Sequence, residues 1–383
     1  MSQLPLYLDC NASNPIDARV IEAMTSAMRE LVGNAGSPHG HGARAKEAVQ
    51  HARDIVGSVV GVRRHEVFFT SGATESNNLA ILGLAAYGKR VGKRHVVASR
   101  IEHKAVLEPL QHLRDQGFEV TLVPPNPTGQ VPVQRMVEAL RSDTLLVSLM
   151  QVNNETGIRQ PIEEVAAAAQ ARGVWMHVDA AQGFGRENGA LMHPGITLIS
   201  ASGHKIYGPQ GIGALIVRRE RNELPPLDPL LFGGGQELGL RSGTLPVPLI
   251  IGFAKACQLA MEEGLFRAQR CQAIRERLLT WFQERGGMIH GDRSLALPHV
   301  LNVSLPGWEA DELIEAISPW VSISNGSACT SVCATASHVL SAMGIAGEGL
   351  DSAVRWSWSH ETETGALEVA LAGVSEVLRH GRI

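Results

Sequence analysis

Residues 174–182 read VWMHVDAAQ and residues 196–209 read ITLISASGHKIYGP. Each opens on a short apolar run and closes on small and polar residues. Each also carries one chemically capable side chain at or just past its end, Asp179 in the first and Lys205 in the second. Apolar runs of this length, bounded by Gly, Ser and Asp, read as buried strands. Working outward, the same signature marks strands at 66–70, 95–99, 119–123, 144–148 and 214–217, beside 174–179 and 196–200. Helical patterns lie between them at 43–60, 76–87, 103–116, 133–140 and 162–171. This alternation predicts an α/β fold with a mainly parallel, seven-stranded sheet. The pattern loosens at 224–244, where Pro225, Pro226, Pro229 and Gly233 to Gly235 fall. A long helix is expected at 248–285. Strands at 300–304, 321–324 and 354–359, with helices at 310–317, 337–343 and 364–379, then suggest a smaller α+β domain. The chain thus divides into a large domain, 16–250, and a small one made of 1–15 and 251–383.

Composition limits the function classes. With 44% hydrophobic and 19% charged residues among 383, the chain is a folded globular protein and not a disordered one. A net charge of −4 gives no broad electrostatic grip on nucleic acid, so no stable direct nucleic-acid binding is expected. No apolar run approaches the ~20 residues needed to span a bilayer. The start, MSQLP, has neither a basic nor an apolar leader region, which predicts a cytoplasmic protein. Five cysteines, Cys10, Cys257, Cys271, Cys329 and Cys333, do not make a disulfide framework in a chain this long.

Two residues carry the chemical reading. A lysine at the end of a buried strand is costly unless neutral, paired or covalently used. Glycines on both sides of Lys205 admit a bulky group, and a lysine condensed with an aldehyde cofactor would satisfy all of this. The alternative is a surface lysine in a turn. Asp179, at the C-terminal end of a parallel strand, points to the crevice where α/β proteins bind ligands. A carboxylate there suits the pyridine nitrogen of pyridoxal 5'-phosphate, although a helix cap is the commoner use of such an Asp. The two together are much rarer than either alone.

The remaining candidates follow from the same geometry. Residues 70–76, TSGATES, join a strand to a helix, as a phosphate cradle requires, and a plain capping box uses the same residues. Ser202 and His204 would complete the cradle. His103, after the strand 95–99, could stack on the pyridine ring and relay protons, or simply cap a helix. Asn154 follows a strand and could position cofactor or substrate, or make an ordinary turn. Cys329 sits in SISNGSACTS, small and polar surroundings that suit a thiol that must be exposed to react. Cys257 lies in an apolar run, as buried structural cysteines do. Cys333 could pair with Cys329, accept a transferred sulfur, or be incidental.

With these residues in hand, the chain closely resembles the cysteine desulfurases, a branch of the fold-type I pyridoxal-phosphate enzymes. The resemblance spans nearly the whole length. It rests on 70–78 (TSGATESNN), 102–107 (EHKAVL), 152–157 (VNNETG), 177–182 (HVDAAQ), 202–213 (SGHKIYGPQGIG), 241–246 (RSGTLP) and 326–331 (GSACTS). It implies that Lys205 holds the cofactor, that Asp179 partners the pyridinium, and that Gln182 donates to the ring hydroxyl. His103 would stack and relay protons. Ala73, Thr74, Ser202 and His204 would contact the phosphate. Thr244 would reach the phosphate of a neighbouring subunit, which implies a homodimer. Arg355 would fork onto the substrate carboxylate with help from Asn154, and Cys329 would become the persulfide. No resident metal is implied, although Cys329 could serve as a transient iron–sulfur ligand.

The resemblance also carries function: L-cysteine would become L-alanine, and the persulfide would pass to a sulfur-acceptor protein. GSACTS matches the long-loop subclass, which supplies iron–sulfur assembly and tRNA thiolation. Residues 177–185 (HVDAAQGFG), 232–247 (FGGGQELGLRSGTLPV), 297–304 (LPHVLNVS) and 357–360 (SWSH) resemble the desulfurase of the bacterial DNA phosphorothioation (Dnd) system more narrowly. Two stretches depart from the family. Residues 9–15 read DCNASNP where two threonines usually precede the proline, which implies tuning of the substrate site. Residues 331–335 read SVCAT where an acidic-proline pattern is commoner, which bears on acceptor docking. The competing readings are an aminotransferase or selenocysteine lyase, which would not need Cys329, and a catalytically silent scaffold, which would not need the intact set.

Overall fold

The structure is a computed structural model and describes residues 4–220, 223–325 and 336–380. Its centre is a seven-stranded sheet in the order Val67–Thr70, Gly213–Val217, Leu198–Ser202, Trp175–Asp179, Thr144–Ser148, His95–Ser99, Glu119–Val123. Gly213–Val217 runs antiparallel to both its neighbours, and the other pairings are parallel. Six strands therefore end on the same edge, and helices cover the faces, as strands apolar on both sides require. Gly213 lies between Thr70 and Ser202 on that edge. A Cβ there would stand 2.3 Å from the Ala201 carbonyl oxygen and 2.7 Å from Gly72 Cα, so only glycine fits.

A second layer of structure is built from Ala353–Ser357, Val300–Ser304 and Met288–Ile289, paired antiparallel in that order. Its core collects Leu8, Cys271, Leu278, Trp281, Phe282, Leu301, Val303, Leu313, Val354, Trp356 and Leu371. The helix Val247–Gln283, 37 residues and about 55 Å long by its rise, runs between the two halves. Its first part buries Ile250, Phe253, Ala256 and Leu259 in the core beside the large sheet, and its last part buries Leu278, Trp281 and Phe282 in the second core. No helix among the described residues is long and apolar enough to cross a membrane.

The chain's opening is more structured than its sequence announces. Leu6–Tyr7 pairs in parallel with Val321–Ser322. Ala18–Glu30 is a helix packed on Val247–Gln283. Asp17 caps it, accepting from the Arg19 N–H at 2.9 Å, and pairs with Arg19 at 2.7 Å and Arg267 at 3.3 Å. The Arg19 hydrogen bonds hold its carboxyl down to about 2. A carboxyl lowered on folding stabilises above the ordinary carboxylate range and stops doing so as pH falls through its folded value. Asp17→Ala should therefore cost about 1–2 kcal/mol at neutral pH in denaturant unfolding. The gap from wild type should close as the pH is lowered toward about 2.

Candidate active site

The polar edge of the large sheet opens on a cavity of about 480 Å³. Ala73, Thr74, His103, Asn154, Asp179, Gln182, Ser202, His204, Lys205 and Arg355 all line it. Thr244 does not. It is exposed, on the segment just before the long helix. Cys329 and Cys333 lie outside the described residues.

Asp179 ends its strand and is 4% exposed. Its Oδ1 accepts from the Ala181 N–H at 3.0 Å, the cap that its sequence context suggested, and its Oδ2 accepts from Asn77 Nδ2 at 2.7 Å. A carboxylate keeps capacity beyond two such bonds. No Lys or Arg forms an ion pair with it among the described residues, so a protonated pyridine would be a fitting partner for this carboxyl group. Gln182 stands one turn on. Its Nε2 donates to the Asn11 carbonyl at 3.0 Å, and its buried Oε1 has no partner among the described residues. A buried polar atom left in that state is costly, and a ring-bearing ligand with a hydroxyl would relieve it.

Lys205 closes the short turn Gly203–Lys205 after Leu198–Ser202. Its Nζ donates to the carbonyls of Asn11 at 2.6 Å and Ala12 at 2.8 Å. The next residue but one, Tyr207, sits at φ 66°, a left-handed conformation that costs a bulky residue about 1–2 kcal/mol and marks the turn as held from outside. His204 is pushed down to about 4, first by burial and then by Lys205, so it faces the cavity as a neutral imidazole. Ala73 and Thr74 open the helix Ala73–Leu82, whose free N–H groups and dipole favour an anion. Glu75 ties this start to Arg241, accepting from its Nε at 2.8 Å, and Glu75 Oε2 accepts from the Ser71 N–H at 2.7 Å.

His103 caps the helix Lys104–Asp115, its Nδ1 accepting from the Ala105 N–H at 3.1 Å. That bond places the hydrogen of the neutral ring on Nε2. The neighbouring Glu102 is fully buried and pushed up to about 7 by burial, while Ser99 Oγ and the Met150 N–H donate to its Oε1. Arg355, on Ala353–Ser357, is 4% exposed and donates to the Asn154 carbonyl at 3.1 Å. Asn154 thus meets the arginine through its main chain.

The two departures at residues 13 and 14 fall beside the lysine. Asn14 Nδ2 donates to the Lys205 carbonyl at 2.9 Å, and Ser13 Oγ shares a hydrogen bond with His204 Nδ1 at 3.2 Å. Residues 11–14 therefore touch Gln182, His204 and Lys205 at once. The sequence reading missed Asn11 and Asn77. Asn77 lies inside the quoted TSGATESNN stretch, so a signal existed. Asn11 works largely through its carbonyl, for which sequence carries no signal.

Three thiols are inert by position. Cys10, Cys257 and Cys271 are buried and free, and burial pushes Cys10 up to about 12, Cys271 up to about 11 and Cys257 well upward. A reactive thiolate needs the opposite.

The model of the class-V aminotransferase family matches residues 6–364. The chain is 43% identical over 380 residues to a protein named cysteine desulfurase IscS from Anaeromyxobacter sp. (strain Fw109-5), covering 98% of this chain and 93% of the relative. The solved structure of DndA from Streptomyces lividans is 45% identical, with a TM-score of 0.81 over 92% of this chain and 99% of that one. The structure of SspA in complex with cysteine is 37% identical, with a TM-score of 0.81 over 92% and 98%. A buried carboxyl group, a lysine just past a strand end and an uncapped helix start meet in one cavity, and the family model and the curated relative each carry a family name. The chain belongs to the class-V aminotransferase family and, within it, to the cysteine desulfurases, which use pyridoxal 5'-phosphate.

Proposed function

We propose that Lys205, Asp179, Gln182, His103, Asn154 and Arg355 form the working site, that Cys329 takes the sulfur, and that this sulfur is destined for DNA phosphorothioate modification. The observation that carries the site is the convergence of the first six residues on one cavity. Bound there, pyridoxal 5'-phosphate supplies a sink for the electrons released at the substrate α-carbon. Lys205 holds it covalently, Asp179 keeps its ring nitrogen protonated, and Gln182 meets its hydroxyl. The start of Ala73–Leu82, with Ala73, Thr74, Ser202 and His204, takes its phosphate. Once the substrate amine has displaced it, the freed amine of Lys205 removes the substrate α-proton. His103 relays protons through Nε2, its Nδ1 being held by the cap. Arg355 binds the substrate carboxylate.

Cys329 acts as thiolate and attacks the sulfur of L-cysteine. A sulfur–sulfur bond forms, the substrate carbon–sulfur bond breaks, and the β-carbon takes the electron pair and later a proton. L-cysteine and the enzyme thiol become L-alanine and the enzyme persulfide. The complex of a 37% identical structure with cysteine supports this choice of substrate. Phe232 is 86% exposed and Leu238 is 70% exposed, close in sequence to the exposed Thr244. An apolar surface of this kind supports a homodimer in which Thr244 serves the partner's phosphate.

The acceptor is read as a protein and not DNA itself, because a net charge of −4 gives the chain no electrostatic hold on a duplex. The DNA-modification reading rests on the stretches at 177–185, 232–247, 297–304 and 357–360 and on the 45% identity to DndA. The 43% identity to a protein named IscS favours a second reading, general iron–sulfur assembly or tRNA thiolation. Deleting the gene and digesting genomic DNA for mass spectrometry of dinucleotides separates the two. The first reading expects phosphorothioate linkages to vanish and to return with wild type but not with Cys329→Ser. Persisting linkages together with failing iron–sulfur enzymes would establish the second.

A further inference from the structure

The arginine read as the carboxylate anchor is not alone in its pocket wall. Arg355 is pinned by its main chain, donating to the Ser324 carbonyl at 2.7 Å and lying in register with Asn302. Its guanidinium makes an ion pair through Nη2 with Asp9 Oδ1 at 2.7 Å, and Nη1 donates to the Asn154 carbonyl at 3.1 Å. Nε is buried and has no partner among the described residues. Arg355 lines the cavity, whereas Asp9 does not.

Asp9 is itself fixed from several sides. It bridges Ser357 through its main chain, and its carbonyl accepts from Tyr7 Oη at 3.0 Å. Its Oδ1 also accepts from Ser324 Oγ at 3.1 Å. A carboxylate anchored in this way fixes the rotation of a long side chain that otherwise has several rotamers. It also supplies the counter-charge without which a buried guanidinium is costly. Arginine has five N–H donors, and Asp9 and the Asn154 carbonyl engage only two of them. Among the described residues nothing else engages Nε–H or the second hydrogen on each terminal nitrogen, and a substrate carboxylate binds best by forking onto two neighbouring donors.

We propose that Asp9 is a positioning residue for substrate recognition, holding Arg355 from outside the cavity so that its remaining donors meet the amino-acid carboxylate. This rests on the reading of Arg355 as the carboxylate anchor. Asp9 does not line the cavity, so its effect falls on the binding of carboxylate-bearing ligands and spares the chemical step.

The test uses the cofactor-loaded enzyme and two readouts. Asp9→Ala should raise KM for L-cysteine about tenfold or more while kcat stays within about twofold. Titration of the cofactor absorbance with L-alanine, which has the carboxylate but no thiol, should show the same loss of affinity. Ethylamine, which lacks the carboxylate, should bind wild type and variant alike. Asp9→Asn keeps an acceptor oxygen and should fall between, and it carries the test if Asp9→Ala does not fold. Unchanged or tighter binding of L-alanine by the Asp9 variants overturns the proposal, because Asp9 would then be idle or would compete with the carboxylate. Arg355→Ala separates the two levels. If it leaves L-alanine binding intact, the reading of Arg355 itself fails. If it weakens binding and the Asp9 variants do not, only the role of Asp9 fails.

Discussion

Lys205→Ala is expected to abolish the visible absorbance of the bound cofactor and to stop turnover, while the protein stays folded. The side chain contributes no packing to either core. Its Nζ meets the carbonyls of Asn11 and Ala12 at the rim of a cavity that water can enter, so those carbonyls are not left unsatisfied when the amine goes. The turn that carries it is held by other bonds: the Gly203 N–H donates to the Ile212 carbonyl, the Gly208 N–H to the Gly203 carbonyl, and Asn14 to the carbonyl of residue 205 itself. Fold and function therefore separate at this residue. The proton transfer assigned to its amine alone accounts for about 10²–10⁴-fold in rate. Circular dichroism should match wild type. Borohydride reduction followed by peptide mass spectrometry should find the cofactor on Lys205 in the wild type and nowhere in the variant. Attachment at another lysine would overturn the assignment.

Cys329→Ser should split the reaction in two. The residues that line the cavity are untouched, so L-cysteine should still change the cofactor spectrum. Alanine and sulfide should fall to background, because serine cannot accept sulfur. No described thiol can stand in, since Cys10, Cys257 and Cys271 are buried in surroundings that keep them protonated. Wild-type rates in Cys329→Ser, or an equal loss in Cys333→Ser alone, would remove Cys329 as the nucleophile. A direct reading is the mass of the persulfide, 32 Da on a sulfur atom, trapped on a single peptide.

Much of the fold was legible because its strands are buried on both faces. Candidate strands 95–99 and 144–148 coincide with the observed ones, since runs buried on both faces leave little freedom in placement, and 119–123 coincides too although it is the half-buried edge strand. The strand expected at 196–200 instead occupies Leu198–Ser202. Its last residues, Ser-Ala-Ser, look like a turn in sequence, but Ala201 and Ser202 pair with Ala214 and Gly213. The single helix expected at 76–87 is broken into Ala73–Leu82 and Ala85–Val91. The cause is distant: the Asp228 N–H takes the Gly83 carbonyl at 2.8 Å, so that oxygen is lost to the helix ladder. The helix Ala18–Glu30 is harder to see in the sequence, although Asp17 is a good cap, because the surface it packs on lies more than two hundred residues away.

The site divides in the same way. Asp179 ends a strand and Lys205, His103 and Asn154 follow strand ends, and a strand end can be read locally. Asp9 and Asn11 act through partners 346 and 171 residues away, and no local pattern encodes such pairings, whereas Asn77, whose partner is 102 residues away, at least falls in a readable motif. Thr244 is the informative exception. It can be read from its motif, yet its own chain leaves it exposed and outside the cavity.

The helix Val247–Gln283 has a consequence for how such chains can be shuffled. One uninterrupted hydrogen-bond ladder contributes side chains to both cores, so the two halves are not interchangeable modules. A crossover with a relative placed anywhere within this helix preserves the backbone but joins one parent's Ile250, Phe253 and Leu259 to the other parent's Leu278, Trp281 and Phe282 at a fixed rotation of about 100° per residue. Inserting or deleting one residue at the junction would turn one of those faces toward water. Recombination in this fold is thus constrained by helical phase, and substitutions that re-aim one core must be matched, turn for turn, by the other.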